Sequence, residues 1–422
     1  MKKALVSVFV IFLFIGNNVS ACTIVSCSLK GKVFAAANED DYTSFSRIWF
    51  NPRTSTRYGS VCFGLPDLQV QAAMNEYGLF YDFTAQYDID PSKFHLKNPY
   101  NGDLFFEILG KCKNVKEALD FLSTHDYAFS SQALLADAEG NSVVINAGAK
   151  VIKKGNYQIN TNFNICNVAT GNYSCRRYDI ANEMLSRATK LSVPFFKAIL
   201  DATHQEGKLS TIYSNIYDLK NGIIYVYLFH NFNSVYVIDL KKELKKGYRL
   251  ENLAEHFPLY FSYETFMQSD PGYKKELIMT EINNKGLENT ITHYLSLTDT
   301  SGSNDLALID VSLQLIRNSW NEHANGGMWE YWFSLPGGYL ITQYKDKRLD
   351  AAAEILSNIM KHGKLDSKYR YFSYEIYAFI NLVQGKTQIA KEYYEKAISN
   401  PSETFAVSFD RAKEMLNRIK DN

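Results

Sequence analysis

The feature that most restricts this chain is a change of period. From Thr23 to about Asp239 the text alternates short β-rich runs with turn residues; beyond about residue 250 it keeps to helical spacing. Two architectures therefore share one chain. In the first part "TIVSCSL", "KVFAAAN", "RIWFNP", "LQVQAAMN" and "GLFYDFTA" read as strands, with Lys30-Gly31 as the hairpin turn of the first pair. "NGDLFFEILGKC" and "NVKEALDFLSTH" follow as helices with polar starts. "SQALLADAEGNSVVINA" reads as a hairpin turning at Glu139 to Asn141, and "YQINTNF" as a further strand. "RRYDIANEMLSRA" and "VPFFKAILDATHQ" make a second helix pair, and "STIYSNIYDLKNGIIYVYLF" a hairpin turning at Lys220 to Gly222. Strands in clusters with helices in pairs predict an α+β fold, sheets covered by helix layers rather than a βαβ repeat. The 29 Tyr and 27 Phe supply the bulk for such buried sheets.

In the second part "LDAAAEILSNIMKHG" and "YEIYAFINLVQGKTQIAKEYYEKAISNPS" look like tetratricopeptide-type helical hairpins, with small residues at helix contacts, a Gly-containing turn and a closing Asn-Pro. A generic helical bundle fits the same text. Either way residues 251–422 are expected to form an all-α domain, a surface for a protein partner or for self-association. "LTDTSGSND", from Leu297 to Asp305, reads as a loop within it.

The beginning of the chain carries Lys2 and Lys3, the apolar run "ALVSVFVIFLFIG" and the small residues "VSA". We read residues 1–21 as a secretory signal peptide, since the run falls short of the ~20 residues of a spanning helix. The mature chain would then be secreted or periplasmic, with no transmembrane segment. Loss of two lysines takes the balance of 45 basic and 45 acidic residues only slightly negative, which predicts no nucleic-acid partner.

Cleavage there would make Cys22 the first residue, giving it a free α-amine with a pKa near ~7.7–8.0 beside its thiol. One residue would supply both nucleophile and base. "VSAC" also fits a bacterial lipobox, in which sulfur and nitrogen are acylated and the protein is a membrane-anchored binding lipoprotein. The leader leaves both readings open. All six cysteines lie between Cys22 and Cys175. Export favours disulfides, but no dense framework or CxxC pair appears, and no pairing follows. His125, His204 and His230 are not at metal-ligand spacing and no HExxH occurs, so we expect helix-end or surface roles, no metal and no cofactor.

The stretch "CTIVSCSLKGKVFAAANEDDY" resembles the opening of the N-terminal-nucleophile hydrolases of the linear-amide family: choloylglycine (bile salt) hydrolases, penicillin V acylases, acid-ceramidase-like amidases and acyl-CoA:6-aminopenicillanate acyltransferases. Cys22-Thr23 and Asn38-Glu39-Asp40 match the family's Cys-Thr start and Asn-x-Asp strand end. "MNEYGL", from Met74 to Leu79, resembles the Met-Asn-Glu-x-Gly-Leu hairpin, and "FYDFTA" the strand whose backbone N–H serves the oxyanion hole, placed near Ala85. "INTNF" resembles the Thr-Asn segment, with Asn162 as a side-chain donor to the oxyanion. "GNYSCRRYDIANEML" resembles the Ser-x-x-Arg-aromatic helix start, matching Ser174 and Arg177, with Arg176 the neighbouring alternative.

The resemblance spans about residues 22–240. It implies a four-layer αββα sandwich over 22–250 and an enzyme that cleaves a small-molecule, linear, non-peptide C–N amide through a thioester. It implies catalytic roles for Cys22, Asp40, Asn162 and Arg177, and oxyanion or substrate contacts from Ala85, Asn38 and Asn75. One departure stands out. Where bile salt hydrolases carry Gly-Arg-Asn-x-Asp, this chain has Ala37, with Arg47 as a candidate replacement, and Glu39 adds charge. The substrates of those enzymes do not transfer to it.

Overall fold

The computed structural model describes residues 22–86, 93–94, 97–98, 100, 103–127, 131–297, 303–323, 342–362 and 366–421. The leader assigned to residues 1–21 lies outside them, as does the middle of the "LTDTSGSND" loop.

Lys30 and Gly31 both take positive φ, +49° and +79°, the backbone a two-residue hairpin turn requires. They join β1 (Thr23–Leu29) to β2 (Lys32–Asp41) antiparallel, with Thr23 opposite Asn38, so Cys22 starts beside the end of β2. The remaining strands are β3 (Arg47–Asn51), β4 (Ser60–Gly64), β5 (Val70–Asn75), β6 (Phe80–Ala85), β7 (Ser131–Ala136), β8 (Ser142–Asn146), β9 (Ala149–Ile152), β10 (Tyr157–Asn160), β11 (Ser210–Asp218), β12 (Ile223–Leu228), β13 (Tyr236–Asp239) and β14 (Arg249–Asn252). They build a six-stranded sheet, β10-β1-β2-β11-β12-β13, and an eight-stranded sheet, β14-β3-β4-β5-β6-β7-β8-β9.

The alternation of each strand sorts its residues into layers. Ile24, Val33, Ala35 and Ala37 face Phe63, Met74, Phe80 and Leu134 between the two sheets. On the other side of the first sheet Val25, Phe34 and Ala36 meet Tyr178 and Ala181 of α3 (Arg176–Ser186) and Phe196 and Leu200 of α4 (Val193–Thr203). On the far side of the second sheet Trp49, Ala73 and Tyr81 meet Ile108 and Leu109 of α1 (Leu104–Lys111) and Ala118 of α2 (Val115–Leu122). The result is the four-layer αββα sandwich.

The sheet core continues past residue 250. After the short helix α5 (Leu240–Glu243), β14 pairs with β3, and Leu253, Phe257 and Tyr263 of α6 (Phe261–Ser269) still pack between the sheets. The following helices, from α7 (Tyr273–Lys285), α8 (Leu287–Ser296) and α9 (Ser303–His323) to the one at Ala406–Asp421, share a separate core. Arg47 binds both Glu276 oxygens of α7 at 2.6 Å in a buried ion pair at this junction. Its guanidinium is thereby committed to α7, so it does not stand in for an arginine at Ala37. Among the described residues no helix is long and apolar enough to cross a membrane.

The disulfides that export would favour are not formed: all six thiols are free. Cys22 and Cys27 project from opposite faces of β1, Cys62 and Cys112 lie in the layer below α1, and Cys166 is at the surface.

Candidate active site

Period two also divides the end of β2. Asn38 and Asp40 point toward α4, whereas Glu39 shares its face with Ala35 and Ala37 and meets Cys22 between the sheets. Cys22 Sγ, buried, donates to Glu39 Oε1 at 3.2 Å. Burial, then the charge of Glu39 and that of Asp40, push the thiol well above its ordinary pKa, while the Asp40 backbone N–H favours the thiolate. As placed, the sulfur is a neutral thiol that needs a proton acceptor.

The inter-sheet face is polar but poorly satisfied. Glu39 Oε2 and the Tyr213 hydroxyl have no hydrogen-bond partner among the described residues, and the Asp82 carboxyl of β6 has no side-chain partner. Burial raises both carboxyl groups well above the usual range; Asp82 raises Glu39 further. Two such groups side by side cannot both ionise readily.

Across the strand the opposite holds. Asp40 accepts from Gln205 Nε2 at 2.7 Å and from the Thr211 hydroxyl of β11. Burial pushes its pKa up to about 7, restrained by Thr211, the Arg177 guanidinium and Gln205. Arg177, one residue into α3, donates to the Cys22 carbonyl at 2.6 Å, to Thr23 Oγ1 at 2.9 Å and to Asn162 Oδ1 at 3.2 Å. Asn162 in turn donates Nδ2 to the Ala85 carbonyl at 3.0 Å. Arg177 therefore gathers the start of β1, the segment after β10 and the end of β6 at one point. Arg176 and Ser174 face solvent.

Asn38 and Asn75 are used differently. Asn38 donates to Leu200 O and Thr203 Oγ1 and accepts from Ser214, tying β2 to α4 and β11. Asn75 donates to Leu109 O and Cys112 O and accepts from the Tyr77 and Leu79 backbone N–H groups, closing the β5–β6 hairpin on α1. Both amides are committed to the scaffold, with no donor left over for a substrate. Sequence reasoning did not single out Asp82, Tyr213, Thr211 or Gln205. For Asp82 a signal existed: a carboxylate two residues from the inward-facing Phe80 of an apolar strand.

Residues 46–233 match the family model of acyl-coenzyme A:6-aminopenicillanic acid acyl-transferase. Over this segment the chain is similar to the acyltransferase branch of the linear-amide N-terminal-nucleophile hydrolases. The match includes Ala85, Asn162 and Arg177; Cys22 and Asp40 precede it. Among solved structures, two variants of the conjugated bile acid hydrolase from Clostridium perfringens are similar. One is 16% identical over 55% of this chain and 96% of that one, with a TM-score of 0.45. The other is 15% identical over 56% and 97%, with a TM-score of 0.44. Penicillin V acylase from Agrobacterium tumefaciens is 15% identical over 57% of this chain and 94% of its own, with a TM-score of 0.37. No curated protein is matched by the sequence.

Proposed function

We propose that this chain is an exported amidase or acylase of small, linear, non-peptide amides, with Cys22 as its N-terminal nucleophile once residues 1–21 are removed. The observation that carries this reading is the Arg177 fan, which binds the Cys22 carbonyl, Thr23 and Asn162 together beside Asp40.

In this reading the thiol proton passes to the Cys22 α-amine while sulfur attacks the amide carbon, and the C=O electron pair moves to oxygen. The N–H of Asn162 not used on Ala85, with a backbone N–H near Ala85, faces that oxyanion, a contribution of about 3–4 kcal/mol per donor in related chemistry. Asp40 orients the amine and, once ionised, stabilises its ammonium form. Collapse breaks the C–N bond; the ammonium returns its proton to the leaving amine, leaving a thioester. Water, or an amine acceptor in a transferase, then releases the acyl group and restores the thiol. Glu39, 3.2 Å from sulfur, holds the resting thiol in place.

The enclosure of Cys22 also bears on the lipoprotein reading. Its side chain is buried and its sulfur donates to Glu39, a hydrogen bond that an S-alkylated cysteine, having no S–H, would lose. The test is incubation with a panel of N-acyl amino acids, conjugated bile acids, phenoxymethylpenicillin and acyl-homoserine lactones, followed by mass analysis of the Cys22 peptide. An acyl-mass increment on that peptide with release of free amine supports the reading. Turnover retained in a folded Cys22→Ala protein would refute it.

A further inference from the structure

The helix-end and β12-end histidines, kept apart by sequence spacing, meet in the fold. His204 closes α4 and His230 follows β12; with Glu206 they place one potential ligand atom each within 4.8 Å of the others. His204 and His230 stack, with ring centroids 5.1 Å apart and planes 17° apart.

The hydrogen bonds of His204 are informative. Its Nδ1 bonds the Asp201 carbonyl. A carbonyl only accepts, so Nδ1 carries the hydrogen. In a neutral ring Nε2 is then a bare lone pair, yet it lies 3.2 Å from Glu206 Oε1, another acceptor. A contact of that length needs a hydrogen or a bound cation between the two atoms. Zinc-binding histidines use the same arrangement, one nitrogen donating to a carbonyl and the other free for the metal.

A second observation concerns the backbone. Phe229 and His230 are consecutive non-glycine residues at positive φ, +45° and +48°, a conformation that only over-determined surroundings maintain. The Tyr260 hydroxyl donates to Phe229 O and Leu228 O, and the Phe229 ring is buried against Tyr263 and Phe266. This strained turn delivers the His230 ring to His204.

We propose that His204 Nε2, Glu206 and His230 form a binding site for a divalent transition-metal cation of the zinc type, set beside the catalytic carboxylate Asp40. Two imidazoles and a carboxylate suit such an ion. Ligand atoms bound at about 2.0–2.1 Å to a tetrahedral ion lie about 3.4 Å apart; His204 Nε2 and Glu206 Oε1 already stand at 3.2 Å, with the His230 ligand atom within 4.8 Å of both. Gln205, between two of the ligands, donates to Asp40 and accepts the Thr211 backbone N–H. An ion here fixes the segment that holds Asp40. The other cluster of this kind among the described residues, Glu322, His323 and Asp346, is different: Arg348 already binds both carboxylates.

The test uses the full chain carrying Cys22→Ala, so that binding is read independently of the amidase chemistry and without that thiol as a ligand. It is titrated with Zn²⁺ by calorimetry and with Co²⁺ by visible absorption. The expected result is one equivalent bound, with nitrogen/oxygen-type cobalt bands and no sulfur charge-transfer band. Affinity should fall at least tenfold in Glu206→Gln and in His230→Asn, the latter chosen because asparagine tolerates positive φ; circular dichroism checks that both fold. No saturable binding, or binding unchanged in both variants, overturns the proposal and leaves the His204–Glu206 contact an ordinary hydrogen bond.

Discussion

The two faces of β2 solve the same problem in opposite ways. Toward α4, Asn38 and Asp40 are met by Leu200, Thr203, Ser214, Gln205 and Thr211. Toward the second sheet the Cys22 sulfur meets Glu39 Oε1, while Glu39 Oε2, the Asp82 carboxyl and the Tyr213 hydroxyl lack side-chain partners among the described residues. Satisfied groups position; unsatisfied buried groups store free energy that a substrate can release. On the proposed reading the helix side, Asp40 included, positions the reacting groups, and the sheet side encloses the sulfur.

The sharpest way to break that division is at the sulfur. Cys22→Ser should reduce turnover by roughly 10⁴-fold or more without changing the far-ultraviolet circular dichroism, since nucleophile removal dominates all other losses. Next, Asn162→Ala should lower kcat by about 10²–10³-fold with a smaller change in KM, measured by amine release. On the supporting face Asn38→Ala should behave in reverse. It leaves the Ser214 hydroxyl without its Asn38 partner and the Leu200 carbonyl with only the 3.5 Å contact from Thr203, and should lower stability in urea by about 1–3 kcal/mol, with turnover per folded molecule less affected than in Asn162→Ala.

Smaller effects come from pH. If ionised Asp40 is needed, kcat/KM rises with pH through a midpoint near the value of about 7 to which burial pushes this group. Thr211→Val removes a hydrogen bond that favours the charged form, so the midpoint should move up, by about one unit. Stability has the opposite slope. Asp40 binds its proton more tightly folded, about 7 against the ordinary 3.8, so its contribution is full below pH 3.8 and is lost as pH rises through 7. Burial moves Glu39 in the same direction, so Glu39→Gln should flatten the fall of Tm between pH 5 and 8.

Sequence pattern reached the layers, and the neighbours that the fold gives Cys22, because these are local. The Lys30-Gly31 turn alone sets Thr23 against Asn38, and the Arg177 side of the "CRRYD" helix start is read from one helical turn. What escaped depends on contacts across the chain. The strand "SVCFG" and the edge strands β9, β13 and β14 are short and carry weak alternation of their own. Asn75 sits in a familiar hairpin motif, but whether its amide faces a substrate or α1 depends on where α1 packs. His204 and His230 come together only because the β11–β12 hairpin returns the chain to the end of α4. Arg47 reads as a spare cation until α7 presents Glu276.

The claim on which the mechanism rests is that Cys22 is free at both sulfur and nitrogen. The most direct measurement is the intact mass, with N-terminal fragmentation, of protein exported with its own leader from a bacterial host. We expect a chain that begins at unmodified Cys22. A diacylglyceryl adduct on Cys22, or a folded exported chain that still carries residues before it, would contradict the account.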